Sequence, residues 1–311
     1  MSETEEFPYL KDLNEPQKEG VLSVEGPSMI IAGAGSGKTR VLTTRIAHLI
    51  QHHGVDPFSI LSLTFTNKAA KEMRGRIEKI VGGDARNLWM GTFHSVFSRI
   101  LRAEAHKLGF PSHFSSAKNR LVSWQEYSNN PIYMQDDIEN RKPEMGRIYK
   151  EYVQRCFKAD AMDFDDLLFY TNVLFRDHID VLNKYQQRFK YVLVDEFQDT
   201  NVSQYVITKK LASVRRNICV VGDDAQSIYA FRGANIQNIL NFEKDYPELK
   251  VIKLEQNYRS TKNIVNAANS VIGKNKSQLQ KSVWTDNTTG ELIDVIRATT
   301  DNEEGKLVAS A

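Results

Sequence analysis

Ala32-Gly33-Ala34-Gly35-Ser36-Gly37-Lys38-Thr39 is the stretch on which the reading of this chain turns. It follows the apolar run Met29-Ile30-Ile31, which reads as a buried strand, and precedes the helical pattern Val41-Leu42…Ile46…Leu49-Ile50. A strand, a glycine-rich turn and a helix are the setting that a phosphate-binding loop requires. Gly33, Gly35 and Gly37 let the backbone turn its N–H groups inward, and the helix N-terminus adds the positive end of its dipole. Lys38 is placed to reach the β- and γ-phosphates of a nucleotide, and Thr39 to offer its hydroxyl to Mg²⁺. The strict pattern asks for glycine where Ala32 stands, but the later glycines line the turn. A ligand-free glycine turn is the plain alternative, and Lys-Thr at the helix start argues against it.

At 311 residues the chain is long enough for two domains, and 41% hydrophobic residues supports sizeable cores. No apolar run approaches the ~18 residues of a membrane span. The acidic start, Met1 to Glu6, does not read as a secretory signal. Cys156 and Cys219 are far apart and lack metal-ligand spacing, as expected for reduced thiols in a cytoplasmic protein. A net charge of +2 means that any nucleic-acid surface is a local patch.

Short apolar runs recur at Met29–Ala32, Ile60–Phe65, Asn87–Met90, Tyr191–Val194, Asn217–Val221, Lys250–Leu254 and Leu292–Ala298. Most are continuous rather than alternating, as in parallel strands covered on both faces. With helical patterns between the early ones, such as Lys68–Val81, they predict an α/β fold with a parallel sheet flanked by helices. From Phe93 to Arg188 the strand-like runs nearly vanish. Helical spacing dominates there, as in Met145–Phe157 and Asp165–Phe175, so an all-helical insertion between two halves of the α/β unit is expected. Asn129–Pro143 reads as a loop. Beyond Leu254 another unit begins, and the chain stops within the helix-like Asp301–Ala311, which suggests a fragment.

Tyr191-Val192-Leu193-Val194-Asp195-Glu196 is an apolar strand ending in two carboxylates. Asp195 at the strand tip suits Mg²⁺. Glu196, one residue on, suits a base that takes a proton from the attacking water. An exposed acidic turn is the alternative; beside the phosphate loop, the pair points to nucleoside triphosphate hydrolysis. A GTPase would carry Asp-x-x-Gly here, whereas Asp195 is followed by Glu196-Phe197-Gln198, and Asn67-Lys68-Ala69-Ala70 lacks the guanine-reading aspartate. An ATP-driven motor is the better reading.

At this point the residues resemble the UvrD/Rep/PcrA family of superfamily 1 DNA helicases over nearly the whole chain, with the motifs in family order. Leu13-Asn14-Glu15-Pro16-Gln17 resembles the glutamine motif, and Ala32–Arg40 motif I. Leu63–Ala70 resembles motif Ia, Gly91–Ser95 the next DNA-contacting motif, and Val194–Thr200 motif II. Val221–Ala234 is similar to motif III and Leu254–Thr261 to motif IV. The resemblance implies a RecA-like P-loop NTPase using ATP and Mg²⁺. It implies that Gln17 reads the adenine edge and Tyr258 stacks on the base. Residues Ala32, Gly33, Ala34, Gly35, Ser36, Gly37, Lys38, Thr39 and Arg40 would cradle the phosphates, with Thr39 and Asp195 on the metal. Glu196 would act as base, Gln226 would sense the γ-phosphate, and Arg259 would neutralise developing charge. DNA contacts would fall to Phe65, Thr92, His94, Tyr229, Phe231 and Arg232, with the aromatic rings as base platforms. The family often carries Trp where Phe231 stands, so the stacking area is smaller. For His94 a purely structural role is the alternative.

The reading implied is the N-terminal part of an ATP-dependent helicase moving 3′ to 5′ on single-stranded DNA and at duplex junctions, in repair or replication. The polarity rests on resemblance alone. Met1–Phe93 and Phe189–Glu255 would form the ATP-binding domain, His94–Arg188 the helical insertion, and Gln256–Ala311 the start of a second motor domain. Family motifs V and VI would lie beyond Ala311, and the insertion looks shortened at the Phe114–Ser115 junction. Two alternatives stay open: the motor of a helicase–nuclease subunit, or a non-catalytic module binding ATP and DNA.

Overall fold

The structure, a computed structural model, describes residues 7–108, 123–159, 162–230, 233–275, 279 and 281–310. Its centre is a six-stranded sheet built from β1 (Ser28–Ala32), β2 (Ile60–Thr64), β3 (Trp89–Thr92), β4 (Tyr191–Val194), β5 (Ile218–Gly222) and β6 (Lys250–Leu254), in the order β3-β2-β4-β5-β1-β6. Every pairing is parallel. Ile30 of β1 lies between Val221 of β5 and Ile252 of β6, which fixes the register at the strand feeding the glycine-rich turn.

Successive side chains of a strand point to opposite faces. Ile30 and Ala32 accordingly join one core cluster while Met29 and Ile31 join the other, and β1 is buried along its whole length. One face is covered by helices Glu15–Leu22, Lys38–Gln51 and Asn67–Val81, which contribute Val21, Leu42, Ile46, Met73 and Ile77. The other is covered by Phe93–Glu104, Phe164–Asp177, Ile179–Arg188 and Val202–Ala212, through residues such as Phe97, Leu168, Leu182 and Ile207. Covering both faces explains why the strands are continuous apolar runs. The edge strand β6 is the exception, with Val251 about half exposed.

Several sequence expectations change here. The run Asn87–Met90 pairs as Trp89–Thr92 instead, because Asn87 ends the 3₁₀ turn Gly82–Asn87. Leu292–Ala298 forms no strand: Leu292 and Val295 are exposed, and no sheet strand pairs with the run. Within Asn129–Pro143, expected as a loop, Pro131–Glu139 is a helix. Asn130 caps it by accepting the Ile132 N–H at 2.9 Å, and Pro131 occupies the first turn, where its missing N–H costs nothing. The Asn-Pro pair is a helix start rather than a chain reversal. The Phe114–Ser115 junction lies outside the described residues.

The run from Phe93 to Arg188 contains helices and no strand in its described part, but it is not one packing unit. Phe97, Ile100 and Leu101, like Leu174 and Tyr185, belong to the same cluster as the sheet residues Leu61 and Val192. The helix Met145–Lys158, by contrast, buries no residue, and Ile148 is exposed. Phe97→Ala should therefore destabilise the chain by ~3–5 kcal/mol through the cavity it leaves. Ile148→Ala should stay within ~0.5 kcal/mol. Urea denaturation of both variants checks this, and equal costs would remove Phe93–Glu104 from the sheet core.

Candidate active site

All carboxyl ends of a parallel sheet lie along one edge, where such sheets bind ligands. Residues singled out in the sequence follow those ends: Gly33 after β1, Phe65 after β2, His94 just after β3 and Asp195 after β4, with Asp223 of the motif III stretch after β5. Ala32, at the position where the strict pattern wants glycine, is the last residue of β1 and needs no unusual backbone. Gly35 and Gly37 do need one, with φ of 71° and 89°. A Cβ on Gly37 would come within 2.8 Å of Gln17 Nε2, and one on Gly35 within 2.7 Å of Arg259 Cβ. Glycine is therefore enforced twice over in the turn, by conformation and by space.

Lys38, on the first helical position, donates to Glu196 Oε2 at 2.9 Å. Glu196 adopts φ 49°, a left-handed conformation uncommon for a residue with a side chain and found preferentially at functional sites. Its oxygen also accepts from Gln198 Nε2 at 3.0 Å. Next to it, Asp195 is buried, and its Oδ1 has no hydrogen-bond partner among the described residues. Burial, and then the neighbouring Glu196, push Asp195 up to about 7, with Lys38 opposing. Asp199 is pushed up to about 6 for the same two reasons. A buried carboxylate oxygen with no donor is costly by itself and is satisfied by a cation. Thr39 faces the same cleft.

That cleft, of about 820 Å³, brings Thr39, Asp195, Glu196 and Gln226 together with Phe65, His94 and Tyr229. Gln226 donates to Asp223 Oδ2. Phe65 packs edge-on against Phe93 with ring centres 6.1 Å apart. His94 lies edge-on to Phe164 at 5.3 Å; burial lowers its pKa, and its Nε2 has no partner among the described residues. Thr92 instead caps the following helix by accepting the Ser95 N–H at 3.2 Å. Phe231 and Arg232 lie outside the described residues.

A second group lies against the glycine turn. Tyr258 N–H donates to Gly35 O at 3.0 Å, and its hydroxyl accepts from Asn14 Nδ2 at 2.8 Å. Gln17 is buried and takes part in a capping box with Asn14. Its Nε2 donates to Ser36 O at 2.9 Å, so both ends of its amide are engaged by the protein. Arg40 reaches Asp12 at 3.4 Å on the surface. Arg259 is exposed, and its backbone N–H donates to Asn257 Oδ1 at 2.8 Å.

Asn257 itself was not singled out from the sequence. Its Nδ2 donates to Ala34 O at 2.6 Å while its Oδ1 accepts from Arg259 and Ser260, so one side chain fastens the glycine turn to the segment after β6. Lys281 was missed too. It is buried between Asp223 at 2.9 Å and Asp224 at 2.5 Å, and the two acids raise its pKa against the effect of burial. Gln198 was quoted without a role, yet it joins Glu196 to the Asp223 N–H, which donates to its Oε1 at 3.0 Å. These partners are distant in sequence, and no local pattern announces them.

The UvrD/REP helicase N-terminal domain matches residues 13–121 and 111–247, and the UvrD-like helicase C-terminal domain matches 252–311. A relative named ATP-dependent DNA helicase PcrA from Staphylococcus epidermidis is 46% identical over 328 residues, covering 96% of this chain and 45% of the relative. One of the same name from Staphylococcus aureus is 44% identical over 330 residues, with the same shares covered. The chain thus spans about half the length of these relatives. Among the described residues no helix is long and apolar enough to cross a membrane. With its glycine turn, its paired strand-tip carboxylates and a family match spanning residues 13–247, the chain belongs to the UvrD/REP helicase family.

Proposed function

We propose that this chain is the N-terminal motor portion of an ATP-dependent DNA helicase that translocates 3′ to 5′ on single-stranded DNA and acts at duplex junctions. The observation that carries the reading is one cleft joining Thr39, Asp195 and Glu196, the partner of Lys38, to Gln226, Tyr229, Phe65 and His94. Groups suited to a triphosphate and groups suited to unpaired bases share one cavity. Residues 1–93 and 189–255 would make the ATP-binding domain, 94–188 the helical insertion, and 256–311 the start of a second motor domain.

The residues fit Mg²⁺, since the unpartnered Asp195 Oδ1 and the Thr39 hydroxyl offer the hard oxygen ligands it takes. When bound, the ion would neutralise phosphate charge. Lys38 would exchange Glu196 for the β/γ-phosphates, and Glu196, released, would accept the proton of the attacking water. Gln226, close to both groups, would report the γ-phosphate to the Tyr229 segment. Tyr258, against the same turn, would stack on adenine, Gln17 would read the base edge by giving up its bond to Ser36 O, and Arg259 would meet charge developing at the γ-phosphate. Tyr229, Phe65 and His94, with Phe231, Arg232 and Thr92, would hold the strand by stacking and phosphate contact.

Lys38→Ala should lose ATP turnover and weaken nucleotide binding, since the loop's cation is gone. Glu196→Gln should keep nucleotide affinity while turnover falls ~10²–10⁴-fold. Fluorescent-nucleotide titration alongside a phosphate-release assay separates the two, and joint loss of both quantities in Glu196→Gln would make Glu196 a structural residue.

Tyr229→Ala should weaken single-strand binding by ~1–3 kcal/mol with little base preference. The deficit should persist at high salt, because stacking releases few counterions. A salt titration of binding to labelled single strands reads both quantities; unchanged high-salt affinity with a shallower slope would assign Tyr229 to the phosphates instead.

A further inference from the structure

Three histidines meet at the far end of the helix that begins at the phosphate loop. His48 and His52 are one turn apart on the same face. The helix ends at Gln51, with His52 as its C-cap, and Gly54 adopts φ 58°. The N–H groups of His52 and His53 both donate to His48 O, at 2.9 and 3.4 Å, and this tight exit folds the third imidazole back over the other two. Ring centres lie 4.8 Å apart for His48 and His52, 5.1 Å for His48 and His53, and 4.7 Å for His52 and His53. One ring nitrogen from each comes within 4.8 Å of the others, an arrangement that no other group of potential ligands reaches among the described residues.

We propose that His48, His52 and His53 form a binding site for a borderline divalent transition ion of the Zn²⁺ class. Three neutral imidazoles are a donor set such ions favour, and Mg²⁺ and Ca²⁺ do not. Zn–N distances of ~2.0–2.1 Å require the nitrogens to draw closer, which the exposed His52 and His53 can do by side-chain rotation. His48 is buried and already oriented. Tyr9 Oη lies 3.0 Å from its Nδ1, and by accepting that N–H it would leave the Nε2 lone pair for the ion. Phe7 closes one side, with its ring 4.7 Å from His52 and 5.4 Å from His48.

The surrounding charges permit a cation. Arg45, on the same helix, donates to Gly20 O and Ser28 Oγ, and its charge still acts on His48. Glu25 is the neighbouring carboxylate, and its field acts on His53. The helix C-terminus also favours positive charge. Across a helix of 14 residues the site lies about 21 Å from the phosphate loop, and its existence does not rest on the nucleotide reading.

The test is a Zn²⁺ titration of the whole 311-residue chain by competition with a chromophoric chelator. His52→Ala/His53→Ala, both at exposed positions, should lower Zn²⁺ affinity at least ~10-fold with unchanged circular dichroism, and Tyr9→Phe should lower it ~10-fold as the loss of an orienting partner. Co²⁺ should give the visible bands of a low-coordinate nitrogen site in the wild-type chain only. Equal Zn²⁺ affinity in wild type and the double variant, or a Co²⁺ spectrum indistinguishable from the aqueous ion, would overturn the proposal. A Lys38→Ala chain that binds Zn²⁺ normally keeps this result separate from that of the ATP site.

Discussion

A sheet that is parallel throughout and covered on both faces leaves its edges and strand ends as the places where chemistry can occur. Both faces of β1 are closed by helices, so its glycine turn opens only where the chain leaves the strand. The same holds for Asp195 after β4 and Asp223 after β5. Because the strands point the same way, turns drawn from sequence positions as far apart as Gly33 and Asp223 converge on one rim. Burial of aliphatic side chains builds the fold, and it also aligns the charged residues along that rim.

Along the rim the polar groups form a connected set. Lys38 holds Glu196, Glu196 and the Asp223 N–H share Gln198, and Asp223 and Asp224 share Lys281. Gln198 uses its amide nitrogen toward Glu196 and Asp199 and its carbonyl toward the turn after β5, so a change at Glu196 bears directly on the Gln226 loop. Removing one member would leave a buried charge or dipole unpaired, at ~1–3 kcal/mol or more. This linkage ties the strand-tip acid after β4 to the turn after β5.

Most of the sheet, and the placement of the candidate residues at strand tips, were legible in the sequence, because both follow local rules. Continuous apolar runs ending in Gly-x-Gly-Lys-Thr or Asp-Glu locate strand tips and their chemistry together. What was not legible depended on distant partners. Asn257 meets Ala34 across 223 positions, and Lys281 finds Asp224 across 57. The misjudged Leu292–Ala298 had the composition of a strand and no partner to pair with. The Asn130-Pro131 pair shows the opposite failure, where the same two residues serve a turn or a helix start and the packing beyond them decides. The histidine cluster combines both kinds of signal: the i, i+4 spacing is visible, while the folding back of His53 and the approach of Tyr9 are not.

The place of β1 in the sheet order bears on how the chain is made. The strand carrying the glycine turn leaves the ribosome before both of its neighbours, β5 and β6, from Ile218–Gly222 and Lys250–Leu254. At ~5–20 residues per second, roughly 190 further residues must be synthesised before the first of these is available, a delay on the order of 10–40 s. Throughout that interval Met29, Ile30 and Ile31 form an apolar strand with both hydrogen-bonding edges open. During translation, the strand that feeds the glycine turn is therefore an open apolar edge, exposed to aggregation until β5 emerges.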